Sequence, residues 1–301
     1  MPEPSRAKRS IAVLLASHNR REKTLRCLAS LRSQEAISEV FLSVFVVDDG
    51  STDGTADAIA KRFPDVLVIS GNGSLYWGGA MRYAMNAATQ SGFDFYLWLN
   101  DDIELYHDAI GGLLRTYDAL RERGQEGPAI VGALCDPVSR ECTYGGAVRS
   151  SRWHPLRFRR IAPGLEPQPC DVFNGNVVLI SRHVVNVVGN LNPALPHTAG
   201  DFDYALRIAQ HGFSSWVAPG FVGECTRNST EGTWLDTTLP LPARYRLLLG
   251  PKAYPVRART AYFRAHAGAL GPALGLMVYI MLPFKHCFAK LASRLRALIS
   301  H

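Results

Sequence analysis

Three consecutive side chains, Asn100, Asp101 and Asp102, follow directly on the apolar run FYLWL. Two carboxylates side by side at the end of a strand repel each other unless a cation lies there. Oxygen donors of this kind suit Mg²⁺ or Mn²⁺; Mg²⁺ takes one or two carboxylates and completes its shell with phosphate oxygens and water. The same residues also suit a solvated turn whose Asp caps the next helix. A second acidic pair, Asp48 and Asp49, ends the apolar run VFLSVFVV and opens DDGSTDGT. There Gly50 supplies a turn and Ser51, Thr52 or Asp53 a helix cap. One of the two aspartates is placed to accept a hydrogen bond from the base or ribose of a nucleotide. Further on, Asp201 and Asp203 open a helical stretch with Arg207. Acids in a first turn complement the helix dipole, and a positioned carboxylate takes a proton from a hydroxyl. Arg207 stands four residues after Asp203, the spacing of a helical ion pair.

The elements that must position these groups are legible as alternating apolar runs and helical patterns. Strands are expected at residues 11–16, 40–47, 66–69, 95–99 and 129–134. Helices are expected at 21–31, from the DDGST turn to 62, at 78–90 and at 107–123. This alternation implies an α/β unit with a mostly parallel sheet covered by helices on both faces. Such sheets bind ligands beyond the carboxyl ends of their strands. Those ends carry Ser17-His18-Asn19-Arg20, Asp48-Asp49, Gly71-Asn72-Gly73 and Asn100-Asp101-Asp102, so polar groups from four strands converge on one edge. The second half is less regular. Strands are expected at 142–148, 172–180 and 215–218, a loop at 149–169 and a helix at 201–211. Trp77 has the chemistry to stack on a sugar or base, whereas Trp98, inside a strand, is assigned to the core.

Charge is unevenly distributed. Ten of the 33 Lys and Arg lie in residues 237–301 with no acid, leaving 23 against 26 acids in residues 1–236. A net charge of +7 so placed argues against a nucleic-acid partner. The six cysteines contain no CxxC pair and are expected to be reduced thiols. Residues 1–10 lack an apolar core for a secretory signal and are expected to be disordered. Residues 267–284 are uncharged but interrupted by Gly268, Gly271, Pro272, Gly275 and Pro283, a poor pattern for a spanning helix. Lys285, Lys290, Arg294 and Arg296 interleave with Phe288, Leu291, Leu295 and Leu298, an amphipathic basic pattern suited to an anionic membrane surface. Packing on the catalytic domain or on a partner chain is the alternative.

The motifs in this order resemble the inverting family-2 glycosyltransferases of the GT-A fold. The carriers are Ser17-His18-Asn19-Arg20; Val46 to Thr55 (VVDDGSTDGT); Asn72 to Ala87 (NGSLYWGGAMRYAMNA); Asn100-Asp101-Asp102; and Asp201 to Arg207 (DFDYALR). The resemblance implies a GT-A domain over residues 11–236 followed by a basic, partly apolar helical region over 237–301. It implies a nucleotide-diphosphate-sugar donor bound by Asn19, Arg20, Asp48, Asp49, Asn72, Gly79, Asn100 and Asp101. It implies Mg²⁺ or Mn²⁺ on Asp102, Asp201 as catalytic base, and a saccharide or lipid-linked saccharide acceptor. The setting implied is cell-surface polysaccharide synthesis in the cytoplasm, with peripheral attachment at the membrane face. Asn100 and Gly200 stand where the family has acids, and Glu224 stands near a position where relatives carry a metal-ligating His. The segment from Asn72-Gly73 to Trp77-Gly78-Gly79 is similar to rhamnosyl- and galactofuranosyl-transferases. Two rival readings remain. A sugar-1-phosphate nucleotidyltransferase needs a Gly-rich, Arg-containing loop after the first strand, where this chain has SHNRRE. A non-catalytic carbohydrate- or membrane-binding relative is kept open by Asn100 and Gly200.

Overall fold

β-Branched and aromatic runs build the frame. The computed structural model describes the backbone of residues 8–299, and the side chains of these except residues 37, 38 and 289–299. In chain order the first half contains β1 (Arg9–Ser17), α1 (Arg21–Arg32), β2 (Val40–Asp48), α2 (Thr55–Arg62), β3 (Leu67–Ser70), α3 (Tyr76–Thr89), β4 (Phe95–Leu99), β5 (Glu104–Leu105), α4 (Ala109–Glu122) and β6 (Ala129–Cys135). The second half contains β7 (Cys142–Tyr144), β8 (Gly146–Arg149), β9 (Phe158–Arg160), β10 (Gln168–Cys170), β11 (Val172–Phe173), β12 (Val177–Ser181), α5 (Arg182–Val188), α6 (Gly200–Gln210), β13 (Ser215–Glu224), α7 (Leu241–Leu249), α8 (Val256–His266) and α9 (Gly271–Ile299). β1 begins at Arg9, inside the stretch expected to be disordered; residues 1–7 of that stretch lie outside the described residues.

The main sheet runs β10-β13-β6-β12-β4-β1-β2-β3. β3, β2, β1, β4, β6 and β13 share one direction, and β12 and β10 run against it. Alternation along β1 divides one apolar run between two cores. Ala12 and Leu14 face the layer of α3, α5 and α6, while Ile11, Val13 and Leu15 face that of α1, α2 and α4. α3 comes close to its neighbours because its first turn is small. A Cβ on Gly78 would lie 2.6 Å from the Leu195 carbonyl oxygen.

Register sets the site. Ser17 pairs with Asp48, Asp48 with Ser70, and Leu14 with Trp98, so these strands end at one level. The expected strand 172–180 is broken. β11 pairs with β8 in a separate three-stranded sheet, and β12 runs antiparallel to β4 with Val177 opposite Leu99. Reversal of β12 brings its entry segment, Asn174-Gly175-Asn176, to the same edge as the carboxyl ends of the parallel strands. The expected strand 142–148 is likewise split, at Gly145 with φ +151°, between the two sheets. The expected loop 149–169 contains β9 and β10, and β13 extends past 218 to Glu224.

The C-terminal region is helical. α8 buries Ala258, Tyr262 and Phe263 in the same core as α3 and α6. No helix among the described residues is long and apolar enough to cross a membrane. The side chains of Lys290, Leu291, Arg294, Leu295, Arg296 and Leu298, on which the amphipathic basic pattern relied, lie outside the described residues.

Candidate active site

A cavity of about 570 Å³ opens at the shared strand edge. Its walls include Ser17, His18, Arg20, Asp49, Trp77, Asn100, Asp101, Asp102 and Asp201. The turns beneath it are interlocked. Asn19, at φ +51°, accepts the Thr52 N–H at 2.7 Å and donates its own N–H to Ser51 Oγ at 2.8 Å. Asp48 is buried and accepts the Ser51 N–H at 3.1 Å. Asn72 accepts from the N–H and hydroxyl of Ser74, and Gly79 gives its N–H to Leu75 O and Pro196 O. Asn19, Asp48, Asn72 and Gly79 therefore shape the turns and lie off the cavity wall. Asp49 is on the wall, but its two oxygens accept the Gly73 N–H (2.8 Å) and the Tyr76 N–H (2.9 Å), which pins the loop between β3 and α3. His18 donates from Nδ1 to the Asp49 carbonyl at 2.6 Å, since a carbonyl only accepts.

The acidic triplet divides its work. Asn100 accepts the Trp77 indole N–H at 2.8 Å, holding that ring on the wall. Arg20 supplies the positive charge that two adjacent carboxylates require. Its Nη1 lies 3.1 Å from Asp101 and 3.0 Å from Asp102. Asp101 is buried behind it, with Thr24 Oγ1 at 3.4 Å. Burial pushes the Asp101 carboxyl up to about 6, although Arg20 pulls the other way. Asp102 lines both the main cavity and a smaller one of about 260 Å³.

Asp201 sits at the first turn of α6 and reaches the deep wall. It accepts the Gly175 N–H at 3.1 Å and its neighbour Phe202 N–H at 2.9 Å. Burial raises its carboxyl to about 6 against those hydrogen bonds, a value suited to a base near neutrality. Ala199 before it has φ +66°, and Tyr76 across the cavity has φ +54°. With Asn19 they put non-glycine backbone strain around this site, as occurs where geometry is held for function. Asp203 points away from the cavity. It pairs with Arg207 Nε at 2.9 Å and His266 Nε2 at 2.8 Å. Burial acts to raise its carboxyl, but the His266 hydrogen bond and the Arg207 charge outweigh it and hold it low. Asp203 thus ties α6 to α8.

The oxygen donors fit a divalent cation held largely by its ligand. Asp102 faces the cavity with Asp101 beside it, and diphosphate oxygens and water complete such a shell. No group of three or more His, Cys, Asp or Glu is placed to hold a metal among the described residues. Glu224 is ion-paired with Arg140 and accepts the Tyr106 hydroxyl at 2.9 Å, and it lines the smaller cavity. Sequence reasoning missed several wall residues. Asn174, Gly175 and Asn176 reach the edge through the reversed strand, Tyr144 comes from the end of β7, Asn228 from the segment after β13, and His197 and Lys252 from two further loops. The asparagine–glycine–asparagine interruption of an apolar run was the one available signal for the first three.

Residues 12–127 match the family described as Glycosyl transferase family 2. The chain is 27% identical over 248 residues to the galactofuranosyltransferase GlfT2 of Mycolicibacterium smegmatis, covering 73% of this chain but 37% of that protein. It is 26% identical over 235 residues to an N-acetylglucosaminyl-diphospho-decaprenol L-rhamnosyltransferase of Mycobacterium tuberculosis, covering 72% and 76%. Among solved structures it resembles the mannosyltransferase PcManGT of Pyrobaculum calidifontis in complex with GDP-Man and Mn²⁺, with a TM-score of 0.56 at 17% identity over 97% of this chain and 77% of that one. It also resembles S. aureus TarS 1-349, with a TM-score of 0.51 at 15% identity over 84% and 69%. At such identities the structural likeness carries the fold alone. The matched segment holds the strand ends that build the Arg20–Asp101–Asp102 cluster; over that segment the chain is similar to the family-2 glycosyltransferases, and its fold is of the GT-A type.

Proposed function

We propose that this chain transfers a sugar, with inversion, from a nucleotide-diphosphate donor to a hydroxyl of a saccharide or lipid-linked saccharide in cell-surface polysaccharide synthesis. The observation that carries this reading is one cavity holding both a deep carboxylate near 6, Asp201, and the Arg20–Asp101–Asp102 cluster. Asp201 takes the proton of the acceptor hydroxyl as that oxygen bonds to the anomeric carbon. The bond from that carbon to the diphosphate breaks, and the nucleoside diphosphate leaves with the electron pair. A single base on one side of the sugar directs attack from the face opposite the leaving group. Asp102 would hold Mg²⁺ or Mn²⁺, whose positive charge would offset that of the diphosphate. Trp77, fixed by Asn100, offers an aromatic face to a sugar or base. The mycobacterial relatives named for rhamnosyl and galactofuranosyl transfer support an acceptor of the lipid-linked class.

The same proposal places the chain at the cytoplasmic membrane face. α9 exposes Leu276, Met277, Ile280, Met281, Phe284 and Phe288, and no acid occurs after Asp236. Such a stripe in basic surroundings suits an anionic lipid surface. Titration of the protein with UDP, dTDP and GDP, with and without Mn²⁺, tests the central reading. Metal-dependent binding of one of them is expected, and no binding of any would sink it.

A further inference from the structure

We propose that Lys252 and His197 form a phosphate-binding subsite on the cavity wall that takes a diphosphate, of either the nucleotide donor or a lipid-linked acceptor. This rests on the transferase reading and adds two residues outside every motif of the sequence.

The cavity wall carries four carboxylates, Asp49, Asp101, Asp102 and Asp201, against two permanent cations, Arg20 and Lys252. An anionic ligand entering such a space needs positive partners. Arg20 is already shared between Asp101 and Asp102. Lys252 has no carboxylate partner among the described residues, and its side chain is exposed at the cavity. A lysine ammonium with three free donors is a point-charge phosphate binder.

His197 supplies a second donor. Its Nδ1 is buried without a hydrogen-bond partner. A buried lone pair without a partner is more tolerable than a buried unpaired N–H, so the proton belongs on Nε2. The ring is neutral: burial first, then the charges of Lys252 and Arg20, lower its basicity. A neutral imidazole with Nε2–H donates to a phosphate oxygen without adding charge. The two residues are coupled by the backbone. Thr198 Oγ1 donates to the Lys252 carbonyl at 3.2 Å, holding the 197–198 loop against the turn between α7 and α8. The C-terminal region thereby completes the cavity wall.

Calorimetry of the full chain with inorganic pyrophosphate and Mg²⁺ tests the subsite directly. Lys252→Ala should weaken binding by about tenfold or more, the scale of one hydrogen bond to a charged group. Lys252→Arg should restore most of it, and His197→Gln should show a smaller loss. Unchanged pyrophosphate affinity in Lys252→Ala overturns the proposal. Lys252→Ala should keep the wild-type melting temperature, because the ammonium has no ion-pair partner to lose. Two further arms identify the source. If the donor diphosphate occupies the subsite, the Kd of the bound nucleoside diphosphate rises about tenfold. If the acceptor does, that Kd is unchanged, and KM rises for a diphospholipid-linked saccharide but not for the same saccharide on an uncharged aglycone. Wild-type protein that binds pyrophosphate but no nucleoside diphosphate sinks the transferase reading and leaves the subsite standing.

Discussion

Replacing Asp201 by Asn should stabilise the protein while abolishing its chemistry. The Asp201 carboxyl moves from an ordinary value of 3.8 to about 6 in the fold, chiefly through burial. The folded state therefore holds this proton more tightly than the unfolded chain. The resulting stabilisation is fully present below pH 3.8, drains away between about pH 4 and 6, and is gone above that range. A shift of about two units corresponds to about 3 kcal/mol. At pH 7.5 the ionised carboxylate costs the fold up to that amount, and Asn, which never ionises, escapes it. Asn keeps an oxygen for one of the two backbone N–H donors now bound by Asp201, which takes back part of the gain. Denaturant unfolding should show Asp201→Asn more stable than wild type at pH 7.5 and nearly equal to it at pH 4. Turnover, read as nucleoside diphosphate release, should fall by about 10²–10⁴, the usual worth of a general base. Wild-type kcat/KM should rise with pH through about 6 and then level. Asp101 titrates in the same range, so Asp101→Asn must retain the limb that Asp201→Asn loses. A less stable Asp201→Asn at pH 7.5, or turnover within tenfold of wild type, would refute the reasoning.

Two other outcomes follow from the geometry. Arg20→Gln removes the charge shared by Asp101 and Asp102 and should cost on the order of 1 kcal/mol, small because Arg20 is partly exposed. Its melting temperature should fall without Mn²⁺ and recover with saturating Mn²⁺, and an unchanged melting temperature would show that the guanidinium is not the counter-charge. Ile280→Asp with Phe284→Asp on α9 should cut co-sedimentation with phosphatidylglycerol vesicles by more than tenfold, each lost apolar side chain being worth about 1.5–3 kcal/mol of burial. Equal pelleting would refute the lipid surface, and a wild-type dimer dispersed by the same changes would assign the stripe to a second copy.

What could be read in advance followed from local chemistry, and what could not depended on strand direction and distant partners. The ends of β1, β2 and β4 were legible because a continuous apolar run that stops at a polar group marks a buried strand and its edge. Asp201, singled out by the resemblance, lies on the cavity wall, and the i,i+4 spacing correctly paired Asp203 with Arg207. The partner that makes Asp203 structural, His266, is 63 residues away on a helix whose docking no local pattern reveals. Asn100 shows the same limit. As a departure from an acidic motif it looked like decay, yet in the fold its amide oxygen holds Trp77 on the wall, a contact across 23 residues. The larger loss came from β12. Read as one strand, 172–180 has no edge in its middle. Split and reversed, it delivers Asn174-Gly175-Asn176 to the cavity, where the Gly175 N–H meets Asp201. A Cβ at Gly175 would lie 2.5 Å from the Trp77 ring, so this glycine serves close approach of backbone, ring and the Asp201 carboxylate. The acidic half of the site comes from parallel strand ends, which sequence shows. The half that holds the Asp201 carboxylate comes from an antiparallel entry, which sequence shows only as an interruption.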